Sequence, residues 1–280
     1  MPVVVYTPES ALRRPGVMIG EMFRDLGASR ELAWRLFVRD IRAQYRQALL
    51  GYIWMLLPPV ASMLMFAFLQ SQNILNVGKT DIPYPAYVLV GTVLWEVFSA
   101  ATLAPLGAVV GASSMLTKLN FPREALLLTA VYHVLFNLAI KLTLLVPVFW
   151  WFQVSVSVTV LLAPLGIFAL LVFGFTIGLM LVPLGLLYQD VGRGLAMIMG
   201  AWFLVTPVIY PPPTTWPAVL INRLNPVSPL LITARELLTG APLTYWGACL
   251  GITAVSLVLL FFSWVAYRLS MPHLVARMSA

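Results

Sequence analysis

The chain has 280 residues, of which 61% are hydrophobic and only 10% charged. Ordinary soluble domains carry about 25% charged residues, so this composition excludes a soluble globular fold and implies a surface that faces lipid. The net charge of +7 sits mainly at the flanks of apolar runs, so phospholipid head groups, not nucleic acid, are the expected partner.

Residues 1–29 are polar and mixed, with Pro2, Pro8 and Pro15. They read as a cytoplasmic tail with a short helix around Met18 to Leu26. The first ten residues lack an apolar core, so no cleavable signal peptide is expected. From Glu31 the sequence runs ELAWRLFVRDIRAQYRQALLGYIWMLLPP. Trp34, Phe37, Val38, Ile41, Tyr45 and Ala48 recur at spacings of three and four, and Arg35, Arg39, Arg42 and Arg46 recur on another face. This is an amphipathic helix with a basic stripe, suited to lie on an anionic membrane surface. Ala48 to Leu69 carries no charge and is long enough, at about 1.5 Å per residue, to cross a hydrocarbon core of about 30 Å. Gly51 is placed to turn the chain into the bilayer. Pro58 and Pro59 are expected to kink the spanning helix.

Six apolar spans follow, at about 48–70, 84–111, 125–152, 160–187, 194–210 and 243–268. The breaks are Gln70 to Pro83, Thr117 to Glu124, Gln153 to Thr159, Tyr188 to Arg193 and Pro211 to Pro242. Gln153 to Thr159 is uncharged and strand-like. Counting lysine and arginine on each side sets the orientation. With the N-terminus in the cytoplasm, eight arginines before Ala48 together with Lys118, Arg123, Arg193, Arg268 and Arg277 lie inside. Only Lys79, Arg223 and Arg235 lie outside. Both termini are therefore expected in the cytoplasm, an even number of spans satisfies that arrangement, and residues 271–280 read as a short tail.

Pro211 to Pro242 is too apolar for an ordinary exposed loop. Two short helices fit, about Trp216 to Leu224 and Leu230 to Thr239. Ser228 is placed to cap the second, Pro229 suits its first turn and Gly240 its end. Two readings stay open: a pair buried at membrane depth, or two helices lying at the outer interface.

Gly78-Lys79-Thr80 resembles the end of a phosphate-binding loop, but Asn73 stands where that loop needs its first glycine. An ATPase must then be a separate polypeptide. Cys249 is the single cysteine, and His133 and His273 lack a carboxylate at helical spacing, so no metal site is expected. His133 reads as a buried, hydrogen-bonded residue. Phe149-Trp150-Trp151-Phe152 reads as an interfacial belt. Trp54, Phe66, Trp95, Phe98, Trp202 and Phe203 lie within spans, where they face lipid, pack helices or line a path. Gly107–Gly111 and Gly174–Gly178 have the GxxxG spacing of close helix contact. Glu96 and Lys141 are ionisable residues inside spans, each costing about 2.5–3.5 kcal/mol at a helix centre. Both fall about 17 Å from the outer ends of their spans. An ion pair between them, within one chain or across two, and separate hydration in a channel are the two readings. Only ten acidic residues occur, and no loop offers the convergent carboxylates or histidines that a membrane-embedded transferase needs.

RDIRAQYRQALLGYIWMLLPP carries Arg39-Asp40, Tyr45-Arg46, Leu50-Gly51, Trp54 and Pro58 in order, and resembles the opening signature of the ABC-2 family of transporter permeases. Further motifs agree: Phe121-Pro122-Arg123-Glu124; Tyr188-Gln189-Asp190-Val191; and Pro207 to Pro211 with Asn225-Pro226 and Arg235. One position departs, since Gln189 stands where the family usually has arginine. The resemblance is to the branch that exports O-antigen, capsule or teichoic-acid chains. It implies an all-α polytopic membrane protein with six transmembrane helices. An N-terminal amphipathic cytoplasmic interface helix and a re-entrant outer helical pair between spans five and six complete that fold. The transmembrane domain would cover about residues 30–270.

The same resemblance implies the permease subunit of an ATP-driven exporter in the bacterial cytoplasmic (inner) membrane. It would work as a homodimer with two copies of a separate nucleotide-binding ATPase, which holds the ATP and Mg. The cargo would be a lipid-linked polysaccharide such as O-antigen, and no catalytic residue is expected in this chain. Phe121, Pro122, Arg123 and Glu124, with Arg39, Asp40 and Asp190, are implied to dock on the ATPase. Pro207, Tyr210, Asn225, Pro226 and Arg235 are implied to form an outer gate, and some of the six aromatics to line the channel. An ABC-2 permease for capsular polysaccharide, teichoic acid, a drug or a small lipid is the alternative.

Overall fold

The computed structural model describes residues 15–46, 51–75, 77–119 and 121–278, and among these every regular element is helical. The tail at 1–14 and the Ala48 to Leu50 junction lie outside the described residues.

Helix α1 spans Pro15–Ala28 and α2 spans Arg30–Tyr45. Ser29 between them is buried and has helical dihedrals, so the two helices are joined without a loop. The buried face of α2 is Ala33, Leu36, Phe37 and Ile41. Trp34, expected on that face, is turned outward. The chain next turns at Gly51, whose φ of +52° suits a residue without Cβ, and enters a 3₁₀ turn over Gly51–Met55.

Helix α3 covers Leu57–Ser71, about 22 Å of rise. Pro58 and Pro59 fall in its first turn and do not kink it. The N–H groups they lack are among those that have no intrahelical acceptor in any helix. The long helices are α4 (Tyr84–Gly111), α6 (Glu124–Trp151), α7 (Ala163–Leu187) and α11 (Trp246–Met278), with the short α5 (Ser113–Lys118) after α4. Among the described residues, these four long segments, α7 with its leading 3₁₀ turn, are the helices long and apolar enough to cross a membrane. The first and fifth expected spans are shorter: α3 has 15 residues, and α8 (Asp190–Val205) has 16 and stops before the expected end at 210. Residues 152–157 are turn and irregular backbone, not strand. Helix α11 continues to Met278, into the segment expected as a tail.

Helix α4 is the centre of the bundle and packs most extensively on α7, then on α6 and α3. Lipid is as apolar as leucine, so close packing, not water exclusion, is what holds such helices together. Gly174 and Gly178 of α7 permit it: a Cβ on either would overlap the backbone of Phe98 or Thr102 on α4. Gly107 and Gly111, with the same spacing, meet nothing within 4 Å.

The segment after α8 folds into two helices, α9 (Ala218–Leu224) and α10 (Val227–Thr239). Asn225, not Ser228, caps α10: its Oδ1 accepts from the Val227 N–H at 3.1 Å. Gly240 ends the helix with φ +74°. Every residue of α10 is buried, against α7, α11, α4 and the 3₁₀ turn before α7. Helix α9 instead turns Leu220, Ile221 and Leu224 outward.

Candidate functional site

Where α4 and α7 begin, the segment after α8 is tied into a polar knot. Arg235 of α10 is 5% exposed. Its Nη1 donates to the Tyr87 hydroxyl and to the Pro207 carbonyl at 3.1 Å, and its Nη2 to the carbonyls of Pro207 at 3.1 Å and Val208 at 2.6 Å. The guanidinium carbon also sits 3.9 Å from the Tyr87 ring centroid. Gly91 of α4 makes room, since a Cβ there would overlap the Val208 carbonyl and the guanidinium. The Tyr87 hydroxyl in turn donates to the Tyr210 carbonyl at 3.1 Å, and the Tyr210 hydroxyl donates to the Leu204 carbonyl at 3.0 Å.

Asn225 fastens the other end of the hairpin. It accepts from Trp202 Nε1 at 2.9 Å and donates to Thr206 Oγ1 at 2.9 Å. Pro207, Tyr210, Asn225 and Arg235 are thus brought into one network, with Pro226 as the residue before α10. Glu236 is separate: it accepts from the Thr244 N–H at 3.0 Å and from the Thr244 hydroxyl.

Midway along the bundle, Lys141 Nζ lies 2.6 Å from Glu96 Oε2, with the side chains 7% and 24% exposed. The pair forms within one chain. Beside it is an aromatic cluster. Trp95 touches Phe98 and Phe203 with ring centroids 5.3 and 5.8 Å apart, and Phe98 touches Trp202 at 5.7 Å and Phe173 at 5.9 Å. Trp95 and Phe98 are buried in the core, so in this conformation they pack helices and present no face to a channel. Phe66, Trp202 and Phe203 are half-buried, and Trp54 is turned outward.

At the opposite end, residues 119–124 connect α5 to α6; Asn120 lies outside the described residues. Phe121 is half-buried against an apolar cluster that also holds Leu116, Leu126, Leu195 and Tyr267. Leu119 and Pro122 are exposed, and so are Tyr188, Gln189 and Asp190 at the start of α8. Glu124 does not stand at a rim. It is buried, and its carboxylate accepts from Arg268 of α11 at 2.7 Å. Arg39 and Asp40 pair with each other at 2.8 Å and do not reach Glu124. Asp40 instead lies 3.7 Å from Nε2 of His133, about 13 Å further along α6. His133 is half-buried under Phe37, with ring centroids 5.1 Å apart, and its partner is a carboxylate on another helix. The basic stripe of α2 is exposed; Trp34, Arg35, Arg39, Arg42 and Arg46 border a hollow of about 550 Å³.

The family model described as ABC-2 type transporter matches residues 31–239. The chain belongs to the ABC-2 type transporter family. It is similar to an O-antigen export system permease protein RfbA of Myxococcus xanthus, 27% identical over 244 residues that cover 86% of this chain and 92% of the relative. A Klebsiella pneumoniae protein of the same name is 23% identical over 214 residues, covering 74% of this chain and 80% of that one. The polysialic acid transport protein KpsM of Escherichia coli is 22% identical over 241 residues, covering 83% and 91%.

The ABC-2 match contains the knot and the Glu96–Lys141 pair. It leaves out α11, which supplies Arg268, the partner of Glu124, and α1, whose Asp25 pairs with the same arginine. Sequence reasoning did not find Arg268, Asp25 or Tyr267. The signal was there but weak: Tyr267-Arg268 stands near the end of an apolar helix, where an arginine reads simply as an inside flank.

Proposed function

We propose that this chain is the membrane subunit of an ATP-driven exporter that moves a lipid-linked polysaccharide, O-antigen, across the bacterial cytoplasmic membrane. The observation that carries this reading is the family match together with relatives named for O-antigen export and polysialic acid transport, aligned over most of both chains. The chain works as a homodimer with two copies of a separate ATPase, which holds ATP and Mg. Residues 30–270 form the transmembrane domain, between cytoplasmic segments at 1–29 and 271–280.

Six crossings fit this reading. The 3₁₀ turn at Gly51–Met55 adds about 10 Å to the about 22 Å of α3, enough for a hydrocarbon core of about 30 Å. Helix α8 with residues 206–210 supplies the fifth. The hairpin of α9 and α10 is a re-entrant outer gate, supported by the burial of all of α10 and by the closed polar network at Arg235. Phe121, Pro122 and Arg123, with the exposed Asp190, contact the ATPase. Glu124 orients that loop from beneath. Arg39 and Asp40 flank the contact along α2. Trp54, Phe66, Trp202 and Phe203 are the rings available to a sliding sugar chain.

The test removes the chain from a cell that makes the polymer. Surface O-polysaccharide should disappear while its lipid-linked form accumulates inside, and the chain together with its ATPase should restore export. Unchanged surface polymer with altered resistance to small drugs would overturn the reading. Orientation is checked in a Cys249→Ser background. Lys79→Cys should react with an impermeant thiol reagent in intact cells, and Ser113→Cys should not.

A further inference from the structure

Arg268 gathers three carboxylates from two other parts of the chain. Nη1 donates to Glu124 at 2.7 Å, and Nη2 lies 2.7 Å from Asp25 and 3.7 Å from Glu21. A planar guanidinium holds two carboxylates on its two sides at once, which a lysine ammonium does not do in the same geometry. The preceding residue, Tyr267, is fully buried, and its hydroxyl donates to the Arg123 carbonyl at 3.1 Å. Two consecutive residues of α11 therefore grip two consecutive residues of the loop, one through backbone and one through a side chain.

Helix α1 adds an apolar contact, with Phe23 edge-on to Trp264 at 5.3 Å between centroids. Pro272 lies one turn beyond Arg268 and has no N–H for its carbonyl, so the hydrogen-bond ladder of α11 is interrupted at this residue. Among the described residues, Arg268 is the cation within 4 Å of buried Glu124.

We infer that Arg268 is a positioning residue for the loop at 119–124, and that α1 is the strap that keeps it there through Asp25 and Glu21. Movement of the loop is then passed to α11 as well as to α6. The functional part of this inference rests on the reading of the loop as the ATPase contact; the positional part does not.

Hydrogen exchange on the full chain in lipid nanodiscs reads the positional part without ATPase or polymer. Asp25→Asn with Glu21→Gln removes the charges of the strap and leaves Glu124 on Arg268. Exchange across 119–126 should rise by about threefold or more in that variant and by about tenfold in Arg268→Gln, with Arg268→Lys between them and residues 84–98 unchanged. Equal exchange in wild type and strap variant would overturn the inference. So would faster exchange everywhere, 84–98 included, because the effect would then be loss of the fold. In the assembled exporter, the strap variant should lower polymer exported per ATP hydrolysed by about twofold to fivefold with the ATPase still bound. An unchanged ratio would overturn the coupling. A Phe121→Ala chain that still captures the ATPase fully would sink the loop reading alone and leave the exchange result standing.

Discussion

Two arginines lie near opposite ends of the bundle and are satisfied in opposite ways. Arg235 has no carboxylate within 4 Å among the described residues; backbone carbonyls and a tyrosine hydroxyl solvate it. Arg268 is held by side-chain carboxylates, one buried and two partly open to solvent. Carbonyls in a folded backbone are fixed, so the first arrangement locks the α9–α10 hairpin to α4. Carboxylates on flexible side chains can exchange, and the second arrangement can yield. The Glu96–Lys141 pair is the intermediate case, with one charge of each sign and little exposure.

The largest effect is expected from Arg235→Ala. It leaves the Pro207 and Val208 carbonyls without their side-chain donor, at about 1–3 kcal/mol for each buried group left unpaired, and takes from the Tyr87 hydroxyl one of its two partners. The melting temperature in detergent should fall by about 10 °C or more, with Arg235→Lys losing less. An unchanged melting temperature would mean that the knot is not a lock.

Lys141→Met comes next, because it strands Glu96. A loss of about 3–5 kcal/mol is expected, and the double variant with Glu96→Gln should recover part of it. Additive losses in that cycle would show that water, not the partner, stabilises each charge.

Gly91→Ala probes the lock by crowding. It pushes a methyl group into the Val208 carbonyl and Arg235, at about 1–3 kcal/mol. The same change at Gly107, which faces open space, should be neutral within about 0.5 kcal/mol.

The smallest effect separates the two arginines by salt. Raising NaCl from about 50 to about 500 mM should speed exchange at 119–126 by about twofold and leave 206–210 unchanged. A matching response at both places would erase the distinction between them.

Much of this architecture is written locally. The four long helices announce themselves as apolar runs, and their ends fall within a few residues of the breaks read from sequence, except that α11 runs about ten residues past its expected end at 268. Gly240 ends α10 because a left-handed residue is needed there. Glu96 and Lys141 could be matched because depth in a membrane follows from residue count. What stayed hidden depends on azimuth, the direction a side chain takes around its helix. Helices α4 and α7 are apolar all round, so periodicity does not say which face meets which neighbour. Asp40 finds His133, and Arg268 finds Glu124 at a separation of 144 residues, only through that packing. Pro58 and Pro59 read as a kink because the start of α3 was placed too early. Asn225 displaced Ser228 as the cap because a side chain already anchored to Trp202 and Thr206 points at the free N–H.

The central proposal is that this chain, driven by a separate ATPase, passes a lipid-linked polysaccharide through the bilayer. Reconstitution tests it most directly. The purified chain and its ATPase are placed in vesicles carrying the lipid-linked polymer on the ATPase side, and polymer reaching the far side is captured by antibody. Transfer should require ATP, should stop when the ATPase is made unable to hydrolyse it, and should fall with Phe121→Ala in the membrane chain. Steady ATP hydrolysis with no polymer crossing, or crossing that needs no ATP, would contradict the account.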